Sequence, residues 1–510
     1  MMLHATNSRS FSVLLCIILS FNLINSMFHV LNAEFDHDEF QHMHIAWNIL
    51  AGKVVYRDFF DHHGPLFSML NGFFLRLLGI EASVSTLFYL RATSLLYMSL
   101  TLYLTFRIAS EALESRQAGL LSAAILSGLL VFQLKSTEFR PDVLQSVLWL
   151  SGLYVVLMDS GGGWRSRLFL AGILFGGVVM TTMKGVVGVA SVILYYLVVC
   201  LRGVQECGQC TRNILSLISG MLVVFLLLCI YFLSYGALSE FIYYNTWFNL
   251  HAFMNHNNDN FSSIMLFLME TQPLFVAAGL GGLLMLGWGL IIPGSRGPGY
   301  SRRLLLFTSS LVAVFSAPLG LYPQHYLLIL PLLSVTSAYA FLWLKQALED
   351  VNSTGFLYVF SLFFFFASMI FASVSYTPYA PSDILISQVE LTEFILRNTS
   401  RDEPVPLLVW NNCGGFVFNE DIQYYWSSSM DMEDVFEMDE GYDVFGEHLT
   451  RLMGEKKVRY VLSEDVDTSR YDQWYVGHII YRGTPPETRR YVAENFHQGE
   501  NPCLWIRNNA

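Results

Sequence analysis

Apolar runs of about 20 residues, the length that carries an α-helix across the hydrocarbon of a bilayer, recur through the first 375 positions of this chain. In lipid every backbone N–H and C=O must find its partner within the protein, so such runs fold as helices. Eleven are legible: 11–31, 86–107, 117–134, 142–158, 168–182, 185–201, 214–234, 271–293, 304–321, 326–344 and 356–375. They predict a mainly α, polytopic membrane helix bundle of about eleven spans. The fifth and sixth are the least regular, because Gly176, Gly177, Gly185 and Gly188 interrupt them and Thr181, Thr182 and Lys184 lie between. The first run extends about 20 residues beyond Arg9 without a small-x-small cleavage pattern before Glu34, which reads as a retained anchor rather than a cleaved signal peptide.

Charge is scarce and unevenly placed. Residues 1–375 hold 18 acidic and 18 basic side chains, so the whole net charge of −12 falls on 376–510. No basic patch suits nucleic acid, and that class of partner is excluded. Cytoplasmic loops retain Lys and Arg, and Arg107/Arg116, Arg165/Arg167, Arg202/Arg212 and Arg296/Arg302/Arg303 occupy alternate loops. The expected topology has a cytoplasmic N-terminus in the plasma (inner) membrane, with 34–66, 235–270 and everything after 375 outside. Lys53, Arg57, Lys135 and Arg140 break the rule, each beside a carboxylate or a helix end.

The division expected is a multi-span membrane domain, 1–375, followed by a soluble extracytoplasmic α/β domain, 376–510. In the latter, 382–398 has helical spacing, while VPLLVW (405–410) and VRYVLS (458–463) suit buried strands. Its acidic stretch 430–443 is a solvated surface or a cation site. Of seven cysteines, Cys413 and Cys503 are the two placed outside, where an oxidising compartment permits pairing. CGQC (207–210) has redox or zinc spacing, but a single pair cannot complete a four-ligand zinc site. Aromatic residues in 241–253 suit interfacial anchoring or an acceptor-facing helix.

The stretch from Glu34 to Leu66 carries the chemistry. Asp36, Asp38 and Glu39 follow directly on a membrane segment, where carboxylates are expensive unless they pair or face a watery cavity. A carboxylate there can act as general base toward a hydroxyl; the plain alternative is an interfacial acidic collar. Further on, YRDFFDHHGPLF offers Arg57, His62 and His63 as donors to phosphate oxygens. Arg140 in FRPD, Lys184 in TTMKG, and His325 with Tyr326 in PQHY fall on the same side of the predicted topology. Each alone is an ordinary interfacial residue; together they outline a site for a lipid-linked phosphate.

The Asp-Glu pair after the first span, AWNILAGKVVYRDFFDHHGPLF, the FRPD loop, the Lys-Gly in the middle of the membrane part of the chain and PQHYLLILP, in that order and sidedness, resemble the GT-C superfamily of membrane glycosyltransferases. The nearest family likeness is to the protein O-mannosyltransferases and the lipid A aminoarabinose transferases. The resemblance covers roughly residues 10–375. It implies a polyprenyl-phosphate sugar as donor, and a lipid, glycan or protein hydroxyl as acceptor. It also implies an inverting displacement with Asp38 as base, Glu39 as its partner and Asp36 as a helper. Arg57, His63, Lys184 and His325 are the foremost expected donor-phosphate contacts, with His62, Arg140 and Tyr326 in the wider set. His63-Gly64-Pro65-Leu66 stands where aminoarabinose transferases have Lys-Pro-Pro-Leu, so that contact becomes pH-dependent or is lost. No cofactor and no obligatory metal are expected, a divalent ion being left open. The alternative is a multi-span transporter or flippase of a lipid-linked substrate, against which the lack of a visible internal repeat counts.

Overall fold

The computed structural model describes residues 6–158, 164–250, 260–292, 299–317, 323–349, 355–407, 413, 415–421, 442–463, 474–476, 479–481 and 486–508. Among the described residues, each of the eleven apolar runs is largely helical. In chain order the helices are α1 (Thr6–Asn32), α2 (His37–Leu50), α3 (Pro65–Leu77), α4 (Val84–Ala112), α5 (Arg116–Ser127), α6 (Leu130–Ser136), α7 (Pro141–Leu157), α8 (Trp164–Thr181), α9 (Val186–Leu201), α10 (Cys207–Ser234), α11 (Leu238–Ile242), α12 (Asn260–Thr271), α13 (Pro273–Ile291), α14 (Tyr300–Ser316), α15 (Leu330–Glu349) and α16 (Gly355–Tyr376). Among the described residues six helices are long and apolar enough to cross a membrane, or seven when α5 and α6 count as one broken span. The chain is a multi-pass membrane protein. Leu, Phe and Ile side chains exposed along α1, α10, α13 and α16 form its lipid-facing surface.

Two features of the bundle position the site. The third predicted span is bent by 71° between α5 and α6. Its freed backbone groups are satisfied by Gln272, whose amide donates to the Gly128 carbonyl at 3.0 Å while its carbonyl accepts from Leu130 N at 3.1 Å. Where α8 crosses α10, Gly172 and Gly220 abut each other's helix so closely that a Cβ on either would strike backbone, of Leu217 or Phe169 respectively. Close approach through small residues is how helices associate in lipid, where apolar burial supplies no drive.

The 34–66 segment is not a simple loop. It folds as α2, a reversal at 51–64, and the entry into α3. Asp36 caps α2 and Glu39 completes the capping box. The helix is buried nearly all round despite its polar sequence, because it is sandwiched between the bundle and the C-terminal part. Phe35 N and O bond to Gln388 at 2.8 and 2.9 Å, and Trp47 packs edge-on against Phe418.

Past Tyr376 the chain forms α17 (Asp383–Asn398), α18 (Tyr442–Glu455), β1 (Tyr460–Leu462), β2 (Trp474–Val476), β3 (Ile479–Tyr481), α19 (Pro486–Asn495), β4 (Phe496–Gln498) and β5 (Leu504–Arg507). An antiparallel sheet of order β1-β5-β4 and a separate β2-β3 pair result. The helix expected at 382–398 and the strand at 458–463 are present; of 405–410, Leu407 forms a single bridge to Leu462 and 408–410 lie outside the described residues. So does most of the acidic stretch, 430–441. Cys413 and Cys503 form a disulfide that ties the turn before Phe416 to the sheet. Cys207 of CGQC is bonded to Cys200 rather than to Cys210, which is a buried free thiol. In the aromatic segment, Phe241, Tyr244 and Phe248 are buried against Tyr56, Phe59 and Phe60, so these rings brace the reversal; 251–253 lie outside the described residues.

Candidate active site

Five stretches distant in sequence converge at helix ends: the first turn of α2, residues 61–64, residues 137–142, the Met183–Gly185 turn and the Pro323–Leu328 turn. Arg140 is their hub. Its guanidinium pairs with Asp38, reaches Asp36 at 3.3 Å and Glu138 at 3.5 Å, and lies 4.0 Å from Asp142. The Arg140 side chain is 6% exposed, whereas Asp38 and Asp36 retain 25% and 28%. The carboxylates are thus the groups open to a ligand.

Burial disfavours a charged Asp38, yet the Arg140 guanidinium and the His37 hydrogen bond outweigh it and hold the carboxyl well below the usual range. Burial pushes Glu138 the other way, up to about 7, against the attraction of Lys135. His42 and His62 are pushed well below the ordinary imidazole range, by burial first and then by His63. His325 is lowered likewise, by burial and then by Lys184.

Lys184 and His325 touch through Nζ and Nε2, and both feel Arg140 and Asp38 electrostatically. His63 lies tilted against His62 and stands edge-on to His42, with ring centroids 4.0 and 4.7 Å apart. The 61–64 stretch is wedged against the end of α8, so that a Cβ on Gly64 would collide with the Met180 carbonyl.

Not every expected residue joins this group. Glu39 is fully buried, and both its oxygens are taken by Arg91; Phe139 N donates at 2.8 Å and Asp36 N at 3.0 Å. It has no lone pair to spare for a substrate proton. Arg57 lies apart: the chain reverses at Val55–Phe59 with Tyr56 at φ 69°, turning Arg57 out to pair bidentately with Asp58 at 2.8 Å and to meet Tyr235. Tyr326 is buried, donating to the Ala317 carbonyl at 3.2 Å rather than lining the polar space. Arg91, Glu138, Asp142 and His42 were not singled out from the sequence, and Lys135 only as an exception to the loop-charge rule. An arginine inside the apolar run of α4 is itself a signal, since an intramembrane charge must have a partner.

Among the described residues two donor groups are near enough to hold a metal ion, Asp36-His37-Asp38 and Asp61-His62-His63. In the first, the carboxylates are already engaged by Arg140, and His37 bridges to Asp38 at 3.2 Å.

The backbone frame beneath this cluster is shared with solved membrane enzymes. ArnT from Cupriavidus metallidurans bound to undecaprenyl phosphate superposes with a TM-score of 0.61 at 13% identity, over 97% of this chain and 98% of that one. AglB oligosaccharyltransferase from Archaeoglobus fulgidus, in complex with an inhibitory peptide and a dolichol-phosphate, gives 0.57 at 12%, over 97% and 74%. The same archaeal enzyme complexed with Zn and sulfate gives 0.56 at 12%, over 96% and 73%. The chain has the GT-C fold. The sequence model for dolichyl-phosphate-mannose-protein mannosyltransferases matches residues 62–231, one third of the chain, from His62 into α10. No curated protein matches it.

Proposed function

We propose that the chain is an integral-membrane glycosyltransferase that moves a sugar from a polyprenyl-phosphate donor to an acceptor hydroxyl. The observation that carries this reading is the juxtaposition of a partly exposed Asp38, paired with Arg140, with the Lys184–His325 pair across that arginine. The match to mannosyltransferases over 62–231 and the fold shared with ArnT and AglB support the reaction class.

In this reading the prenyl tail lies in the bilayer and the donor phosphate meets Lys184, with Arg140 behind it. Their positive charge stabilises the phosphate as it departs, in a preorganised and largely dry setting. Asp38 faces the acceptor. A carboxylate held so low binds a proton weakly, which suits a displacement where the acceptor O–H is acidified by bonding to the anomeric carbon before its proton moves. Attack opposite the phosphate inverts the anomeric configuration. Glu39 and Asp36 act by position: both fix the first turn of α2, and Asp36 also anchors Arg140. Arg57 and Tyr326 have no part. The basic loops support an outward-facing site and a cytoplasmic N-terminus.

Binding of undecaprenyl phosphate to the purified protein in nanodiscs tests the donor half. The reading expects Lys184→Ala to weaken binding at least about tenfold, one charge-assisted contact being worth about 1.5–3 kcal/mol, and Arg57→Ala to leave it unchanged. Equal affinity of wild type and Lys184→Ala would sink it.

A further inference from the structure

Asp61, His62 and His63 sit beside the cluster described above, yet three of the nitrogen and oxygen atoms at this place are left over. Asp61 is fully buried, and its Oδ2 has no hydrogen-bond partner among the described residues. The same holds for Nδ1 of His62 and for Nδ1 of His42, a residue 1% exposed whose ring stands against His63. Buried polar atoms are nearly always partnered by protein or by an ordered ligand, and each exception calls for a cause.

We infer that Asp61, His62 and His63 form a binding site for a divalent transition metal of the Zn²⁺ class, with His42 lining its edge. The donor atoms of the three residues lie within 4.8 Å of one another. Tetrahedral zinc ligands stand about 3.4 Å apart, so side-chain rotations of roughly an ångström bring them to the ion. Imidazole nitrogens with a single carboxylate select zinc or cobalt over magnesium and calcium, which prefer all-oxygen shells.

The surroundings suit ligation. Asp61 Oδ1 accepts from His63 N at 2.9 Å and from His63 Nδ1 at 3.1 Å, the carboxylate–histidine pairing that orients a metal ligand and leaves Nε2 free to bind. The backbone is held on three sides. Asn249 donates to the His62 carbonyl at 2.6 Å, the Tyr56 hydroxyl donates to that of His63, and Gly64 is lodged against Met180. The rival cluster, Asp36-His37-Asp38, has no such spare atoms and carries Arg140 on its carboxylates. A cation on His62 and His63 would add positive charge beside Lys184, which lies within electrostatic reach of His62; only this consequence rests on the proposed glycosyl transfer, while the binding itself does not.

The test uses the full-length protein in detergent, stripped with chelator and re-equilibrated with Zn²⁺ or Co²⁺. Metal content is measured by mass spectrometry, and the visible absorption of the Co²⁺ form is recorded. Expected are about one equivalent of metal in wild type and in Asp38→Asn, an intense tetrahedral cobalt band, and loss of both in Asp61→Asn and His62→Gln at unchanged elution volume and far-UV circular dichroism. Should those two variants misfold, the cobalt spectrum of the wild type decides alone, since octahedral or absent absorption overturns the site. No stoichiometric metal in wild type, or full retention in Asp61→Asn and His62→Gln, also overturns it. Loss in Asp38→Asn with retention in Asp61→Asn would put the ion on the first turn of α2 instead. Because Asp38→Asn is expected to be inactive yet metal-loaded, failure of the metal proposal and failure of the enzymatic reading are told apart.

Discussion

Replacing Arg91 by leucine is expected to destabilise the protein by about 3–5 kcal/mol, the usual result of removing one partner from a buried ion pair. The figure follows from what Arg91 holds. Its guanidinium is bidentate to Glu39, donates to the carbonyls of Ala33 and Glu34 at 2.7 Å each, and lies 3.9 Å over the Phe35 ring. Without it, Glu39 is an uncompensated charge at 0% exposure, and the link from α1 to α2 loses its anchor on α4. Removing both charges, Arg91→Leu with Glu39→Leu, should recover part of the loss, because no buried charge is then left uncompensated, although Phe139 N, Asp36 N and the carbonyls of Ala33 and Glu34 still lose these partners. The assay is reversible unfolding in mild detergent for wild type, both single variants and the double variant, read as a double-mutant cycle. Coupling above about 1.5 kcal/mol fits the structure; a single Arg91→Leu with wild-type stability, or strictly additive effects, refutes the reasoning.

Further perturbations probe the elements around α2. His44 donates to the Val417 carbonyl and to Asp421, each at 2.9 Å, while Asn48 donates to the other Asp421 oxygen at 3.2 Å; burial opposes the charge, but Asp421 raises the His44 pKa above its usual 6.5. A raised native pKa gives stability that is full below about pH 6.5 and fades as pH climbs through the native value. The melting temperature of wild type should therefore fall between pH 6 and 9 relative to that of Asp421→Asn, and parallel curves would contradict the clamp. Gly64→Ala should lower transfer on the order of a hundredfold through displacement of His63 from the end of α8, and should also lower the melting temperature because the new Cβ meets backbone; unchanged turnover would speak against the close approach seen there. Reduction of Cys413–Cys503, which closes a 90-residue separation, should lower stability by about 2–5 kcal/mol, as followed by limited proteolysis after Phe416, and an unaltered cleavage rate would argue that the bond is dispensable.

The long helices were legible because lipid imposes a length and a composition that leave few alternatives, as in α10, whose apolar run survives intact from sequence to structure. Helix α2 was not, because HDEFQHMHIAWNIL has no single apolar face. Its polar residues are buried against partners far along the chain, such as Asp421 for His44 and Arg91 for Glu39. The 71° break between α5 and α6 was hidden for the same reason: the residue that makes it tolerable, Gln272, lies 142 positions beyond Leu130. Of the polar cluster, loop order put Asp38, His63, Arg140, Lys184 and His325 on one side of the predicted topology, and these residues do converge. Arg57 was grouped with them on nearness to His62 in sequence, which the reversal at Val55–Phe59 undoes. A charge inside an apolar run, as at Arg91, was the available signal for the ion pair that fixes the site.

The most direct test of glycosyl transfer is to compare glycans and polyprenyl-phosphate sugars in cells carrying wild type or Asp38→Asn at equal membrane levels. Loss of one glycan together with build-up of its lipid-linked donor is the predicted result, and the missing glycan identifies the acceptor. Unchanged profiles in Asp38→Asn cells would contradict the role given to Asp38 and return the chain to the transporter reading.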